Sequence, residues 1–237
     1  MSHRQIDEIA EGVWLGRPDY REGAMGAVLG DDLTLIIDST SYPPFAARFV
    51  EEVAGARTQP KLLYITHRHF DHFGGAAAID APIMSHRLTR AALASYDDAW
   101  LDRHIPAWIE QGLMDPELVG EPEVVIPQIT FEGDAVVDVG GREVLLRHVG
   151  GHTADQCIAY IPSLKLLWGS DNVFSDRDEP VVAHADVPTW IDALERLSEL
   201  DIEIVVPGHG DIGGPELLAN QLDQLRRTNL EQMGASA

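Results

Sequence analysis

The stretch T-H-R-H-F-D-H-F-G-G occupies residues 66–75 of a 237-residue chain that contains only ten histidines. Six consecutive positions of this stretch hold four potential metal ligands: His67, His69, Asp71 and His72. Two imidazoles separated by one residue can converge on one ion, while the carboxylate and imidazole that follow can turn toward a second. The spacing therefore favours two adjacent metal sites. Taken alone, the motif is also compatible with a histidine-rich surface tract or with hydrogen-bonded core histidines.

The sequence around the cluster predicts where it lies in the fold. The continuous apolar run K-L-L-Y-I-T at 61–66 predicts a strand in the middle of a sheet. After the cluster, Gly74 and Gly75 with the alanines behind them predict the start of a helix. The four ligands are thus expected on the loop between a buried strand and a helix, where a rigid scaffold holds accessible side chains.

Three further segments repeat this pattern of an apolar strand followed by a ligand near glycine. They are G-G-H-T at 150–153, L-W-G-S-D at 167–171 and V-P-G-H-G at 206–210. Each predicts a strand that ends just before a ligand, namely His152, Asp171 or His209. A single histidine of this kind is more often a capping or core residue, but four such segments together favour one metal-binding constellation.

The remaining sequence predicts two strand-rich halves, each finished by helices. Residues 24–29 and 33–38 flank the turn Gly30-Asp31-Asp32 and predict a hairpin, which a helix over 45–54 follows. In the second half, the apolar runs predict strands at 135–139, 143–148, 157–161, 166–168 and 202–206, and helices at 188–200 and 215–227. Two strand-rich halves suggest two sheets packed face to face with helices outside.

Composition restricts the classes of function. The 39 acidic and 17 basic side chains give a net charge of −22, which repels polyanions and argues against a nucleic-acid partner. Cys157 is the only cysteine, so neither an intrachain disulfide nor a cysteine zinc cluster can form within one chain. No apolar run approaches the length of a membrane helix or resembles a secretory signal, so a cytoplasmic protein without a membrane partner is expected.

T-H-R-H-F-D-H-F-G-G resembles the T-H-x-H-x-D-H-x-G-G signature of the metallo-β-lactamase-fold hydrolases, and the three later ligands follow that family's order and approximate spacing. The resemblance implies an α/β fold, a four-layer αββα sandwich, as a single domain over residues 1–237. It also implies a two-metal site at one edge of the sheets. By this match the first ion is held by His67, His69 and His152. The second is held by Asp71, His72 and His209, and Asp171 bridges the two.

This ligand set predicts a hydrolase. Imidazoles and carboxylates suit zinc, although manganese or iron accepts the same atoms. Two ions roughly 3.5–4 Å apart can share a hydroxide that attacks the carbonyl of an ester, lactone, thioester or amide. Asp71 is expected to be the catalytic residue that orients the nucleophile or carries a proton. Thr66 and Thr153 are candidates for fixing the ligands, with ordinary helix-capping or strand-end bonds as the alternative.

The resemblance leaves the substrate open. The short segment after His209 lacks the helical extension with which glyoxalase II enzymes bind glutathione. Asp171 stands where β-lactamases generally have cysteine or serine, and Phe174 stands where lactonases have a tyrosine. A non-hydrolytic metal enzyme similar to the sulfur dioxygenases, or a metal-stabilised binding protein without turnover, is the alternative. The sequence does not indicate an oligomeric state.

A helical insert is predicted at about residues 87–120. It is too long for a simple connection, and it concentrates Trp100, Trp108 and Met114 among charged residues. If it covers the metal edge, its apolar side chains favour a small, uncharged and moderately hydrophobic substrate. Burial in the core is the alternative for both tryptophans. His184, in the loop after the bridging aspartate, could reach the pocket, with no role in the pocket as the alternative.

Overall fold

The chain folds into two units in the computed structural model, which describes residues 5–19, 22–97, 99–175 and 183–235. Unit 1 comprises Met1–Glu132 with Asp138–Arg142, and unit 2 comprises Gly133–Val137 with Glu143–Ala237. Each unit is built on one β-sheet. The two predicted sheets are therefore present.

Unit 1 contains a seven-stranded sheet whose strands lie side by side in chain order. The strands are β1 (Gln5–Ala10), β2 (Val13–Arg17), β3 (Met25–Leu29), β4 (Thr34–Ile37), β5 (Lys61–Ile65), β6 (Ile83–His86) and β7 (Ile129–Phe131). Pairing is antiparallel from β1 to β4 and parallel from β4 to β7. Leu29 pairs with Thr34, which confirms the predicted hairpin. Strand β4 is buried at all four positions, as expected for a central strand that reads as a continuous apolar run.

The helices of unit 1 are α1 (Pro43–Ala54), α2 (Phe70–Phe73), α3 (Arg87–Leu93) and α4 (Trp100–Glu110). The two prolines at the start of α1 lack an N–H where a helix would leave one without a partner, which explains why the helix begins there. Phe49 of α1 and Leu63 of β5 belong to the buried core of this unit. Among the residues that the structure describes, no helix combines the length and apolar character needed to span a bilayer.

The prediction that a helix begins at Gly74-Gly75 is wrong. The short helix α2 precedes these glycines, and only a 3-10 turn at Ala76–Ala78 follows them. Gly75 N–H donates to the carbonyl of Thr40, and a Cβ added at Gly75 would lie 2.3 Å from the Ser39 carbonyl oxygen. The glycine therefore serves close contact between two backbone segments and does not start a helix.

Unit 2 contains a five-stranded sheet with the spatial order β12-β11-β10-β9-β8. Its strands are β8 (Asp134–Asp138), β9 (Glu143–His148), β10 (Cys157–Ile161), β11 (Leu166–Phe174) and β12 (Ile204–His209). Its helices are α5 (Val187–Leu197) and α6 (Glu216–Ala235). Asp186 caps α5, because its carboxylate accepts from Thr189 N–H at 3.1 Å. Trp190 and Leu194 of α5 pack in a buried cluster with Val205 of β12.

Two of the predicted ligands, Asp171 and His209, lie within strands instead of beyond the strand ends. Strand β11 was predicted to end at Trp168 but continues to Phe174, so Asp171 is an interior residue of it. His209 is the last residue of β12. The pairing of β11 with β12 shifts register after Trp168 and again after Ser170, and Ser170 has a left-handed backbone with φ of 46°. The residues G-S-D at 169–171 predicted a strand end because the strand is irregular at this point.

Candidate metal centre

The histidine motif straddles the junction between β5 and α2. His67 follows β5, His69 immediately precedes α2, and Asp71 and His72 lie within its single turn. The ring centroid of His67 lies 4.7 Å from that of His69 and 4.3 Å from that of His72. The ligand atoms of His67 and His69 lie within 4.8 Å of each other, as do those of Asp71 and His72. Unit 1 thus brings its four predicted ligands together, two on the loop and two on the helix.

A buried carboxylate that the sequence analysis missed organises this cluster. Asp38 Oδ2 lies 2.8 Å from His72 Nδ1 and accepts from the Thr66 hydroxyl at 2.8 Å, while Asp38 Oδ1 accepts from Thr66 N–H at 2.8 Å. Thr66 Oγ1 also lies 3.1 Å from His67 Nδ1. With Nδ1 of His72 hydrogen-bonded to a carboxylate, Nε2 is the atom left to act as a metal ligand. Thr66 therefore contacts both Asp38 and the predicted ligand His67.

Two acids of unit 1 have raised pKa values. Burial raises the pKa of Asp38, and the neighbouring His72 and the hydrogen bonds from His72 and Thr66 oppose the rise. Burial also raises the pKa of Glu22 to about 8, and the negative charge of Asp71 adds to the rise. The end of an apolar strand could have identified Asp38 from the sequence. Glu22 carries no comparable signal, because only the tertiary fold buries it.

Glycine backbone closes one side of the unit 1 cluster. A Cβ at Gly23 would lie 2.7 Å from His72 Nε2 and 2.7 Å from the Asp71 carbonyl oxygen. Such distances fall well below van der Waals contact, so only glycine fits here without displacing the imidazole. The position keeps space beside the ligand atom of His72. Imidazole nitrogens and a carboxylate around such a space fit a divalent ion.

Unit 2 brings its three predicted ligands together, with the imidazoles of His152 and His209 beside the carboxylate of Asp171. Asp171 Oδ2 lies 3.2 Å from His152 Nε2, and Asp171 Oδ1 lies 3.6 Å from His209 Nε2. All three residues are buried. A Cβ at Gly208 would lie only 2.0 Å from Asp171 Oδ1, so the backbone of β12 closes directly on this oxygen. Each oxygen of this carboxylate therefore lies within 3.6 Å of the Nε2 of a different imidazole.

Aromatic rings hold the two imidazoles of unit 2. The ring of Phe174 stacks on His209 with centroids 5.5 Å apart and lies 5.6 Å from the ring of His152. The ring of Trp190 meets His152 edge-on at 5.3 Å, and that of His184 lies 6.5 Å from His152. Phe174 is buried, and its ring packs against both imidazoles. The ring of His184 is thus near that of one predicted ligand.

The predicted insert packs on the histidine motif. Trp108 stacks on Phe70 with ring centroids 5.0 Å apart, and Trp100 stacks on Tyr96 at 4.1 Å. Tyr96 in turn donates its hydroxyl proton to the Arg68 carbonyl at 3.4 Å. Helix α4 contains no fully buried residue, so both tryptophans are half-buried. The aromatic cluster thus contacts the motif at Arg68 and Phe70 and retains exposed apolar surface.

The Asp38 contacts lead to a first prediction. We expect Asp38→Asn to weaken divalent metal binding by about 10–100-fold, because an amide nitrogen replaces one of the oxygens that orient His72. Competition titration with a chromophoric chelator measures the affinity. Ser85→Ala is the control, because it removes a different buried side-chain hydrogen bond of unit 1, from the Ser85 hydroxyl to the His86 carbonyl. Equal metal affinity in Asp38→Asn and the wild type would show that Asp38 does not position His72.

Residues 21–209 match the family model described as the metallo-beta-lactamase superfamily. The chain belongs to this superfamily. Among solved structures, a metallo-beta-lactamase from Pontibacter korlensis superimposes with a TM-score of 0.73 at 23% identity, over 94% of this chain and 98% of that one. The family resemblance and the fold class predicted from the sequence, mixed α/β with two sheets and helices, are therefore confirmed.

Curated relatives of the superfamily have hydrolytic activities in their names. The chain is 28% identical over 222 residues to the acyl-coenzyme A thioesterase MBLAC2 of Gallus gallus, which covers 87% of this chain and 74% of that protein. It is 25% identical over 234 residues to the metallo-beta-lactamase type 2 of Bacillus cereus, which covers 93% of this chain and 82% of that one. The fold of these relatives implies divalent metal binding.

Proposed function

We propose that this superfamily member is a dinuclear metal-dependent hydrolase of carboxylic thioesters, esters, lactones or amides. The observation that carries the proposal is the Asp171 carboxylate, whose two oxygens each face the Nε2 of a different imidazole. We assign the first ion to His67, His69 and His152 and the second to Asp71, His72 and His209, with Asp171 as the bridge. Zinc is the proposed metal, since the donors are imidazole nitrogens and carboxylate oxygens.

The two aspartates of the set differ in exposure, and this supports different roles. The side chain of Asp171 is 4% exposed and that of Asp71 is 27% exposed. A buried carboxylate is suited to a fixed structural bridge, whereas a partly exposed one can exchange protons with water and substrate. When bound, the two divalent ions supply a water molecule of lowered pKa and polarise the substrate carbonyl. Asp71 would orient that water and accept its proton.

We propose a thioester with an uncharged, moderately hydrophobic acyl group as the first substrate class to test. A relative is named an acyl-coenzyme A thioesterase, and the half-buried tryptophans beside the histidine motif offer apolar surface for an acyl chain. The net charge of −22 opposes anionic substrates and nucleic acid. A single domain over the whole chain and a cytoplasmic location remain predictions from the sequence.

The test combines metal analysis with a substrate panel. We expect about two equivalents of divalent metal per chain, loss of turnover with chelator, and recovery on adding Zn²⁺. Hexanoyl-N-acetylcysteamine and hexanoyl-coenzyme A share one acyl group and differ in charge, so their comparison tests the preference for uncharged substrates. One metal equivalent in a fully active sample would contradict the two-ion site. Oxygen consumption without hydrolysis would instead favour a dioxygenase, and metal binding without any turnover a binding protein.

The aromatic cluster leads to a second prediction, on substrate length. We expect Trp100→Ala and Trp108→Ala to lower kcat/KM about tenfold more for an octanoyl thioester than for an acetyl thioester, because each lost methylene contact is worth up to ~0.8 kcal/mol. Leu113→Ala is the control, since that side chain lies in the same segment and is 55% exposed. If both tryptophan variants lose the same factor on every chain length, the segment has only a structural role.

A further inference from the structure

Asn172 connects strand β11 to the turn that carries His152. Its side-chain oxygen accepts from His152 N–H at 3.2 Å, and its side-chain nitrogen donates to the Gly150 carbonyl at 2.9 Å. The residue is fully buried. Both ends of the amide therefore bind the same three-residue turn, and they hold it next to Asp171, which precedes Asn172 in the strand.

The turn itself has an unusual backbone that requires support from its surroundings. Gly150 and Gly151 have φ angles of 67° and 102°, in the left-handed region that favours glycine. A Cβ at Gly151 would lie 2.8 Å from atoms of Trp190, and Asp186 N–H donates to the Gly151 carbonyl at 2.9 Å. Helix α5 thus braces the turn from one side. Asn172 holds it from the other, and its own carbonyl accepts from the Trp190 indole N–H at 3.0 Å.

We propose that Asn172 is a positioning residue that sets the direction in which the His152 imidazole projects toward its metal ion. This inference rests on the proposed function, because it assumes that His152 binds an ion. A side-chain amide offers an acceptor and a donor in one plane, which matches the amide N–H and the carbonyl that Asn172 meets here. Aspartate has no donor for the Gly150 carbonyl, and leucine has neither group.

Metal binding and folding are measured separately. Asn172→Leu leaves the His152 N–H and the Gly150 carbonyl without their partner, so we expect the metal-free variant to fold but to unfold at a lower temperature than the wild type. Disturbing a partner that orients a metal ligand typically lowers metal affinity by about 10–100-fold. A merely structural role would instead lower thermal stability and leave the affinity of the folded protein unchanged. The two readouts therefore separate positioning from packing.

The experiment compares Asn172→Leu and Asn172→Asp with the wild type. Leucine branches at Cγ as asparagine does but forms none of its hydrogen bonds, and aspartate has the shape of asparagine without the donor. Tyr160→Phe is the control, because it removes a hydrogen bond from the Tyr160 hydroxyl to the Asp201 carbonyl in the same unit, 2.7 Å long. Each protein is titrated with Co²⁺, whose visible absorption bands report the ligand geometry. Thermal unfolding is measured on the metal-free proteins.

We expect both Asn172 variants to lose about 10–100-fold in affinity for one Co²⁺ equivalent and to change its absorption bands, while Tyr160→Phe keeps both. Wild-type affinity and spectrum in a folded Asn172→Leu would overturn the inference and leave the proposed hydrolase intact. A wild type that binds no Co²⁺ would overturn both. If neither variant folds, hydrogen exchange of the His152 amide is measured in the wild type. Slow exchange supports a lasting hydrogen bond from this amide to Asn172, and fast exchange overturns the inference.

Discussion

Replacing Asp171 by alanine is expected to lower turnover by at least ~100-fold while the protein still folds. The loss follows from position, because each carboxylate oxygen faces a different imidazole and no other acid of the proposed set lies in unit 2. A misplacement of about 1 Å in a catalytic constellation can cost ~100-fold. Folding should persist, since the strand that carries Asp171 is paired with β10 on one side and β12 on the other.

Three measurements test this expectation: steady-state turnover, metal content and circular dichroism of the metal-free protein. Asp171→Asn keeps the shape of the side chain but not its charge, and we expect it to retain more metal than alanine does. Asp192→Ala removes an exposed acid of helix α5 and serves as the matched control. Near-normal turnover with two ions bound to Asp171→Ala would show that Asp171 is not the bridge.

The fold was predictable from the sequence where side-chain periodicity reflects burial. The runs at 24–29, 33–38 and 61–66 are apolar because strands β3, β4 and β5 are central in their sheet, and such runs predict strands well. The sequence did not predict β1, β2 or β7. Strand β1, Q-I-D-E-I-A, lacks a regular alternation of polar and apolar residues and has only exposed or partly exposed side chains, and β7 is only three residues long. Strand β7 also pairs with β6, where Met84 lies opposite Ile129, and local patterns do not reveal a pairing between residues so distant in the sequence.

The proposed ligands could be chosen from the sequence because metal chemistry restricts residue types and spacing. The residues that contact them could be chosen only in part. Thr66 begins the motif and was proposed as a supporting residue, whereas Asp38 and Asn172 contact His72 and His152 from positions 34 and 20 residues away along the chain. Contacts of this kind depend on how strands meet in the folded sheets. Asp38 and Ser170, which precedes Asp171, have left-handed backbone with φ of 58° and 46°. The sequence does not reveal this strained conformation of non-glycine residues, whereas the structure does.

Gly208→Ala is expected to cost as much activity as the loss of Asp171 itself, again at least ~100-fold. The added Cβ would lie 2.0 Å from Asp171 Oδ1, 2.8 Å from the carbonyl carbon of Ser170 and 2.9 Å from the Asp171 backbone nitrogen. Two of these atoms belong to the backbone of β11, so the strain cannot be relieved by a side-chain rotation alone. Either the carboxylate turns away from His209 or the two strands separate, and both displace the proposed bridge.

Because the added Cβ clashes with its neighbours, we also expect Gly208→Ala to lower the free energy of unfolding by about 1–3 kcal/mol, the usual range for overpacking a filled site. Gly214→Ala is the matched control: it lies shortly after the same strand, and its Cβ would approach only the side-chain carboxyl of the exposed Glu216, which can rotate away. Denaturant unfolding, metal content and turnover are measured on both variants. Because Gly208 contributes no ligand atom, a folded Gly208→Ala that keeps two ions and full turnover would show that catalysis tolerates a displaced Asp171. That result would contradict the bridging role of Asp171 without any change of the carboxylate itself.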